Sequence, residues 1–234
     1  MIYELRLYSV APGRMADVND RFAQHLPPLF QRHGVNCVGR WTALAGPNAP
    51  RFVYMMAYRD YAHREETWAS FYQDDEWWRI RAATNAGHEM VERHDLLFLK
   101  PNALWGAPTR PASTVAGLHE LVMQEIAPGQ NSVANAFLRD TYLPLLREAG
   151  AQVLGLFDMA SGPAMQKMAY FFAWPDAATW HAGRHWMENH ADMRAVLTSQ
   201  RRTTGTTCFQ RSEVNLLEVA PGVAIRSEFG RGSE

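Results

Sequence analysis

The chain has 234 residues, 47% hydrophobic and 20% charged, which is enough for two domains of ordinary globular composition. Its 23 lysines and arginines against 24 aspartates and glutamates leave a formal net charge of −1, which offers no footprint for nucleic acid or an anionic membrane surface. No run of about 18 apolar residues occurs, so no helical membrane span is expected.

Ile2 to Val10 alternates as a strand, with Tyr3, Leu5 and Leu7 on one face and Glu4, Arg6 and Tyr8 on the other. Ala11-Pro12-Gly13 ends it. Met15, Val18, Phe22, Leu26, Leu29 and Phe30 then recur at helical intervals, with Pro27 and Pro28 expected to interrupt the helix and Gly34 to stop it. A second strand runs from Val35 to Leu44, a turn follows at Gly46-Pro47-Asn48, and Arg51 to Tyr58 is a dense apolar strand. Tyr61 to Asn85 reads as helix in two pieces around Gln73-Asp74-Asp75, and Val91 to Leu99 as a last strand.

The sequence then repeats itself. Tyr3-Glu4-Leu5 returns as His119-Glu120-Leu121, Ala11-Pro12-Gly13 as Ala127-Pro128-Gly129, Gly39 as Gly155, Tyr54 as Tyr170 and Asp60 as Asp176. Every pair keeps one offset of 116 (Glu4 to Glu120, Tyr54 to Tyr170), so no gap is needed between Glu4 and Asp60. Two copies exclude a solenoid and indicate a duplicated domain. The expected organisation is a domain over 1–101, a Pro-rich linker over 102–117, a second domain over 118–221 and a polar tail over 222–234.

Each copy has the β-α-β-β-α-β order of a ferredoxin-like fold, with helices on one sheet face only. The expected class is therefore α+β, with the two antiparallel sheets packed into one barrel within a single chain. Such a chain needs no partner to finish the barrel, although further homo-oligomerisation is open. Phe52, Tyr54, Met56 and Tyr58 alternate on one face of a strand, and Met168, Tyr170, Phe172 and Trp174 repeat that face. These aromatic faces are expected to point inward and to line a lumen.

Tyr3-Glu4-Leu5-Arg6 before Ala11-Pro12-Gly13, then Arg32-His33-Gly34-Val35, Val38-Gly39 and Trp41, resemble the NIPSNAP family. Ala57-Tyr58, Asp60 and Ala62-His63-Arg64-Glu65 extend the likeness, which is looser in the second copy, where Thr179-Trp180-His181 stands instead. The resemblance implies a dimeric α/β-barrel fold, shared with cofactor-free monooxygenases and some haem-binding enzymes. It implies no particular reaction, since fold and function separate readily.

If Leu5, Leu7, Leu121 and Met123 face the helices, alternation sends Glu4, Arg6, Tyr8 and Glu120 into the lumen. Glu4 and Arg6 could pair there. Glu120 faces Val122 where Arg6 would stand, and an unpaired carboxylate in apolar surroundings could act as a general acid or base. The alternative is that both glutamates accept structural hydrogen bonds. The candidate catalytic residues are Glu4, Glu120, Arg6 and His119, and the candidate substrate-binding residues are Tyr8, Trp41, Tyr54, Met56, Tyr58, Tyr170, Phe172 and Trp174.

His181 and His185, four apart on a helix, could chelate a metal or haem, but a surface pair is the simpler reading and no metal site is assigned. Nucleotide-binding, nucleophile-elbow and dithiol motifs do not occur, so no cofactor is expected. Cys37 and Cys208 read as free thiols, and the N-terminus lacks the pattern of a signal peptide, so a cytoplasmic location is expected. Taken together, these features suggest an enzyme that acts without a nucleotide cofactor on an apolar aromatic or polycyclic metabolite in the barrel lumen, by oxygenation, isomerisation or lyase chemistry, as in natural product biosynthesis. A non-catalytic binding or carrier protein is the alternative. A lumen plugged by side chains would favour a protein that only makes interactions.

Overall fold

The repeat seen in the sequence becomes two copies of one α/β unit in a computed structural model that describes residues 1–107, 115–164 and 166–220. The first copy runs β1 (Ile2–Val10), α1 (Met15–Asp20), a π-helical turn (Arg21–His25), α2 (Leu26–Arg32), β2 (Cys37–Ala45), β3 (Arg51–Tyr58), α3 (Tyr61–Tyr72), α4 (Asp75–Asn85) and β4 (Val91–Pro101). The second runs β5 (Leu118–Ile126), α5 (Asn131–Phe137), a π-helical turn (Leu138–Tyr142), α6 (Leu143–Glu148), β6 (Gln152–Ser161), β7 (Lys167–Trp174), α7 (Ala177–Asn189), α8 (Ala191–Thr204) and β8 (Phe209–Val219). The offset of 116 holds to the start of α8. By the last strand it is 118, since Leu99 of β4 and Leu217 of β8 pair with Tyr3 and His119 in turn.

The prolines do not break the first helix of either copy. Pro27 and Pro28 sit in the first turn of α2 and Pro144 in that of α6, each directly after a π turn. A proline has no N–H and crowds the carbonyl one turn back. Widening that turn absorbs the misfit while the chain stays helical. Asp60 and Asp176 are retained because each caps a helix, accepting from the backbone N–H of His63 and Thr179.

The eight strands close into one antiparallel barrel, in the order β1-β3-β2-β8-β5-β7-β6-β4. Two seams join the copies: β2 to β8, with Trp41 opposite Val219, and β4 to β6, with Leu99 opposite Met159. Eight strands leave an interior just wide enough for side chains to fill. Tyr3, Leu5, Leu7, Trp41, Val53, Met55, Leu121, Met123, Phe157 and Phe171 fill it in a single buried cluster. Gly39 and Gly155 serve this packing. A Cβ on Gly39 would lie 2.1 Å from the Trp41 ring, and one on Gly155 2.7 Å from Phe157.

The faces are therefore the reverse of the expectation. Leu5, Leu7, Leu121 and Met123 line the lumen, whereas Glu4, Arg6, Tyr8 and Glu120 lie on the outer sheet face beneath the helices. Tyr8, Tyr54, Met56 and Tyr58 pack against Val18, Phe22, Leu26, Leu29, Trp68 and Phe71. Tyr170, Phe172 and Trp174 pack likewise beneath the second set of helices, so Tyr54 and Tyr170 do not face each other across the barrel. The physical reason is compensation of charge. Helix side chains reach the buried charged groups, and a lumen filled with hydrocarbon has nothing to offer them.

Asn102, at the start of the expected linker, is buried and ties the chain to the second copy. Its amide nitrogen donates to Asn135 Oδ1 at 3.0 Å and Asp158 Oδ1 at 2.8 Å. Most of the linker's middle and the expected polar tail lie outside the described residues.

Candidate functional site

In the first copy, β1, β3 and α3 bring a charged cluster together beneath the helices. Glu4 is fully buried and takes Arg6 Nε at 2.5 Å on Oε1 and Arg64 Nε at 2.7 Å on Oε2. Arg6 Nη1 donates to Tyr8 Oη at 3.0 Å and to Tyr54 Oη at 3.1 Å, and the two phenol oxygens are 2.5 Å apart. The Arg6 guanidinium lies 4.2 Å from the Trp68 ring centre. Burial alone would lower the pKa of Arg6, but Tyr54, Tyr8 and Glu4 outweigh it and hold the side chain as a permanent cation. Burial pushes Tyr54 well above the usual phenol value, against the opposing pull of Arg6.

Above this cluster is a cavity of about 230 Å³ between the sheet and the helices. Arg6, Tyr8 and Tyr54 contribute polar groups to its lining, and Phe22, Trp68, Phe71 and Trp77 contribute aromatic walls. Tyr72 and Trp78, 45% and 48% exposed, stand at its rim with Arg81. His94 of β4 lies opposite Tyr8 in the strand register, with its ring 4.7 Å from the Tyr8 ring and edge-on to it. Burial and the Arg6 charge lower the pKa of His94, so at neutral pH it is an uncharged imidazole able to accept a proton.

The second copy rearranges the same parts. Position 64 is Arg and position 68 Trp in the first copy, whereas their counterparts are Trp180 and Arg184. Arg184 reaches Glu120 Oε1 at 3.0 and 2.6 Å, and Trp174 Nε1 donates to Oε2 at 2.9 Å. Glu120 is thus fully buried but not unpaired: an arginine from α7 takes the room left by Val122. Tyr142, which replaces Leu26, receives Arg184 Nη1 at 2.5 Å and packs its ring 6.4 Å from Tyr170 and Phe172. Tyr142 thus stands in the second copy where the smaller Leu26 lines the cavity of the first.

The structure gathers Glu4, Arg6, Tyr8 and Tyr54 in one place, with Met56 and Tyr58 beside them in the same buried cluster. It separates them from Glu120, Tyr170, Phe172 and Trp174, which belong to the second copy's core. Trp41 and His119 are in the lumen, away from both. The Trp41 indole N–H donates to His119 Nδ1 at 2.9 Å, and His119 Nε2 lies 2.8 Å from the Val115 carbonyl. That pairing places the imidazole hydrogen on Nε2 and uses both ring nitrogens. His181 and His185 are exposed on α7, and among the described residues no group of three metal-ligating side chains occurs. Arg64, Arg81 and His94 stand outside the expected site residues, and Trp68 and Trp77, clustered on the helices after β3, read from the sequence as packing in preference to a cofactor box. The reciprocal exchange of Arg and Trp at positions 64 and 68 between the copies was the available signal.

No functionally curated protein matches the sequence significantly. Among solved structures, an anthrone oxidase-like protein superposes with a TM-score of 0.58 at 11% identity, over 94% of this chain and 91% of its own. A candidate monooxygenase from Lactobacillus acidophilus NCFM gives 0.54 at 9% identity, over 94% of each chain. A NIPSNAP domain protein from Burkholderia xenovorans is 21% identical over 46% of this chain and all of its own, with a TM-score of 0.39. The first two likenesses establish the dimeric α/β-barrel architecture. The sequence profile of the NIPSNAP family matches residues 3–104, and the first copy of this chain is accordingly a NIPSNAP domain.

Proposed function

We propose that the chain is a small-molecule enzyme whose site is the cavity of the first copy, and that it acts on an apolar aromatic substrate by proton transfer. The observation that carries this reading is an aromatic cavity in the first copy whose inner end holds a buried guanidinium and two phenols. A duplicated fold gains no evident stability from leaving such a space open, and pockets of this make-up are the usual sites of ligand chemistry. His94 is the proton acceptor in this reading. Tyr8, Tyr54 and Arg6 orient the substrate and answer the charge that develops. Glu4 holds Arg6 in place and is a positioning residue.

Oxygenation is the favoured reaction, because proteins described as a candidate monooxygenase and as anthrone oxidase-like share this architecture. Proton removal from an activated aromatic CH₂ leaves an anion that can give electrons to O₂. The overall change, CH₂ + O₂ → C=O + H₂O, needs no further reductant.

The test is O₂ uptake with hydroxylated aromatics of one to three fused rings, using the wild-type chain and His94→Gln. The wild type should consume O₂ with at least one ring size, and His94→Gln should be slower by about 10²-fold or more, the usual contribution of a general base. Binding detected by tryptophan fluorescence without turnover of any compound would favour the carrier reading.

A further inference from the structure

We infer that the ligand of the first-copy cavity carries an oxyanion on an aromatic ring of one or two fused rings, received by Arg6 and a tyrosine hydroxyl. This rests on the small-molecule reading of the cavity and narrows it to a chemical class. The first argument is a hydrogen count. Arg6 Nη1 donates to both Tyr8 and Tyr54, so each oxygen already has a donor. The 2.5 Å contact between those oxygens uses one hydroxyl hydrogen. Two hydroxyls bring two hydrogens, and among the described residues no other acceptor takes the second. The pair therefore has one O–H left for a ligand, and a ligand oxygen that accepts it also meets the Arg6 charge.

The second argument is the sign of the charge. The cavity is lined by two guanidiniums, Arg6 and Arg81, and by His94, and among its lining residues there is no carboxylate. Glu4 is engaged by Arg6 and Arg64 beneath the cavity, and Arg81 is partnered by Glu89 at the exposed edge. Among charged side chains an ammonium ligand would meet only like charge here, whereas an anion meets opposite charge and donors. Trp77 adds a buried indole N–H without an acceptor among the described residues.

The third argument comes from the duplication. The counterparts of Arg6, Tyr8, Arg81 and His94 are Val122, Gln124, Leu197 and Ser212, taking the offset of 116 for the first three and 118 for the last. None of these four side chains is kept in the second copy, where the guanidinium that reaches the retained glutamate comes instead from Arg184 of α7. Glu4 and Tyr54 persist as Glu120 and Tyr170. The volume of about 230 Å³, below the ~300–1,000 Å³ typical of drug-sized ligands, favours a small ring system over a large one.

The oxyanion could belong to a phenolate or to an aryl carboxylate, so the probes are 2-naphthol, 2-naphthoate and uncharged naphthalene, each titrated against the full chain. At least one anion should bind tenfold or more tighter than naphthalene. If it is the naphtholate, absorbance should show bound 2-naphthol ionising at least one pH unit below its free value. The groups facing that oxygen are Arg6, Arg81, His94, Tyr8 and Tyr54, with the Tyr72 phenol at the rim. Tyr8→Phe combined with Tyr54→Phe removes both hydroxyls, and with them the free O–H, without touching a charge, and should cost the preferred anion about tenfold in affinity while changing naphthalene binding by less than about twofold. Arg81→Met should cost a few-fold and flatten the salt dependence. Both variants avoid the folding risk of Arg6→Met. Preference for naphtholate or for naphthoate supports the inference and identifies its source. Naphthalene binding as tightly as both anions would overturn the inference and leave the small-molecule reading standing. Failure of all three probes to bind would overturn both.

Discussion

A buried carboxylate or imidazole invites a catalytic reading, and at the residue scale it is the partners that decide. Glu4 and Glu120 are retained in both copies, and each is held by arginine: Arg6 and Arg64 in one, Arg184 in the other. The positive partner comes from a different element in each copy, but the requirement to compensate the charge is the same. His119 is similarly committed. Burial lowers its pKa against the opposing effect of the Val115 carbonyl, so the folded chain keeps it neutral between Trp41 and Val115. The unfolded imidazole takes a proton near its ordinary value of about 6.5. Unfolding is thus favoured as pH falls through that value toward the lowered folded one, and the contribution is absent above it. A single proton accounts for at most about 1.4 kcal/mol per pH unit. Urea denaturation between pH 7.5 and 5 should show wild-type stability falling with pH and His119→Gln falling less steeply, with His94 adding a residual slope of the same sign. Equal slopes for the two proteins would remove His119 from the account.

The set of residues on one face of β1 and β3 was legible in the sequence, and which side of the sheet that face occupies was not. Strict alternation placed Glu4, Arg6, Tyr8, Tyr54, Met56 and Tyr58 together, and the strand register confirms it, with Arg6 opposite Tyr54 and Glu4 opposite Met56. Yet β3 is buried at all eight positions, so both of its faces are apolar and neither marks the core. The deciding contacts come from α3, at Arg64 and Trp68, and no periodicity within a strand reports what a distant helix will offer. At this scale the glycines carry a prediction. Trp41 folds back over Gly39, so Gly39→Ala must displace the ring from a filled lumen or shift the strand. Overpacking of this kind costs ~1–3 kcal/mol, and Gly155→Ala should cost a similar amount against Phe157. Chemical denaturation of both variants measures it; a change below about 0.5 kcal/mol in either would mean that the lumen is looser than its packing indicates.

For the whole molecule, duplication replaces a partner. Each copy alone would expose two strand edges, β2 and β4 in the first and β8 and β6 in the second, and the two seams pair all four. The lumen then draws side chains from both copies into one cluster, in which Tyr3 of the first meets Phe157 of the second at 5.0 Å. Neither sheet can open without exposing the lumen face of the other, so the copies are expected to unfold together. Because the barrel closes within the chain, that transition should not depend on protein concentration, in contrast to a barrel assembled from two chains. The thermal midpoint measured over a hundredfold dilution should stay constant within error, and far-UV circular dichroism and tryptophan fluorescence should report coincident curves. The two copies have also diverged within one chain: Tyr142 and Arg184 stand where Leu26 and Trp68 line the cavity of the first copy. A midpoint that falls on dilution would show that this chain, too, depends on a second copy of itself.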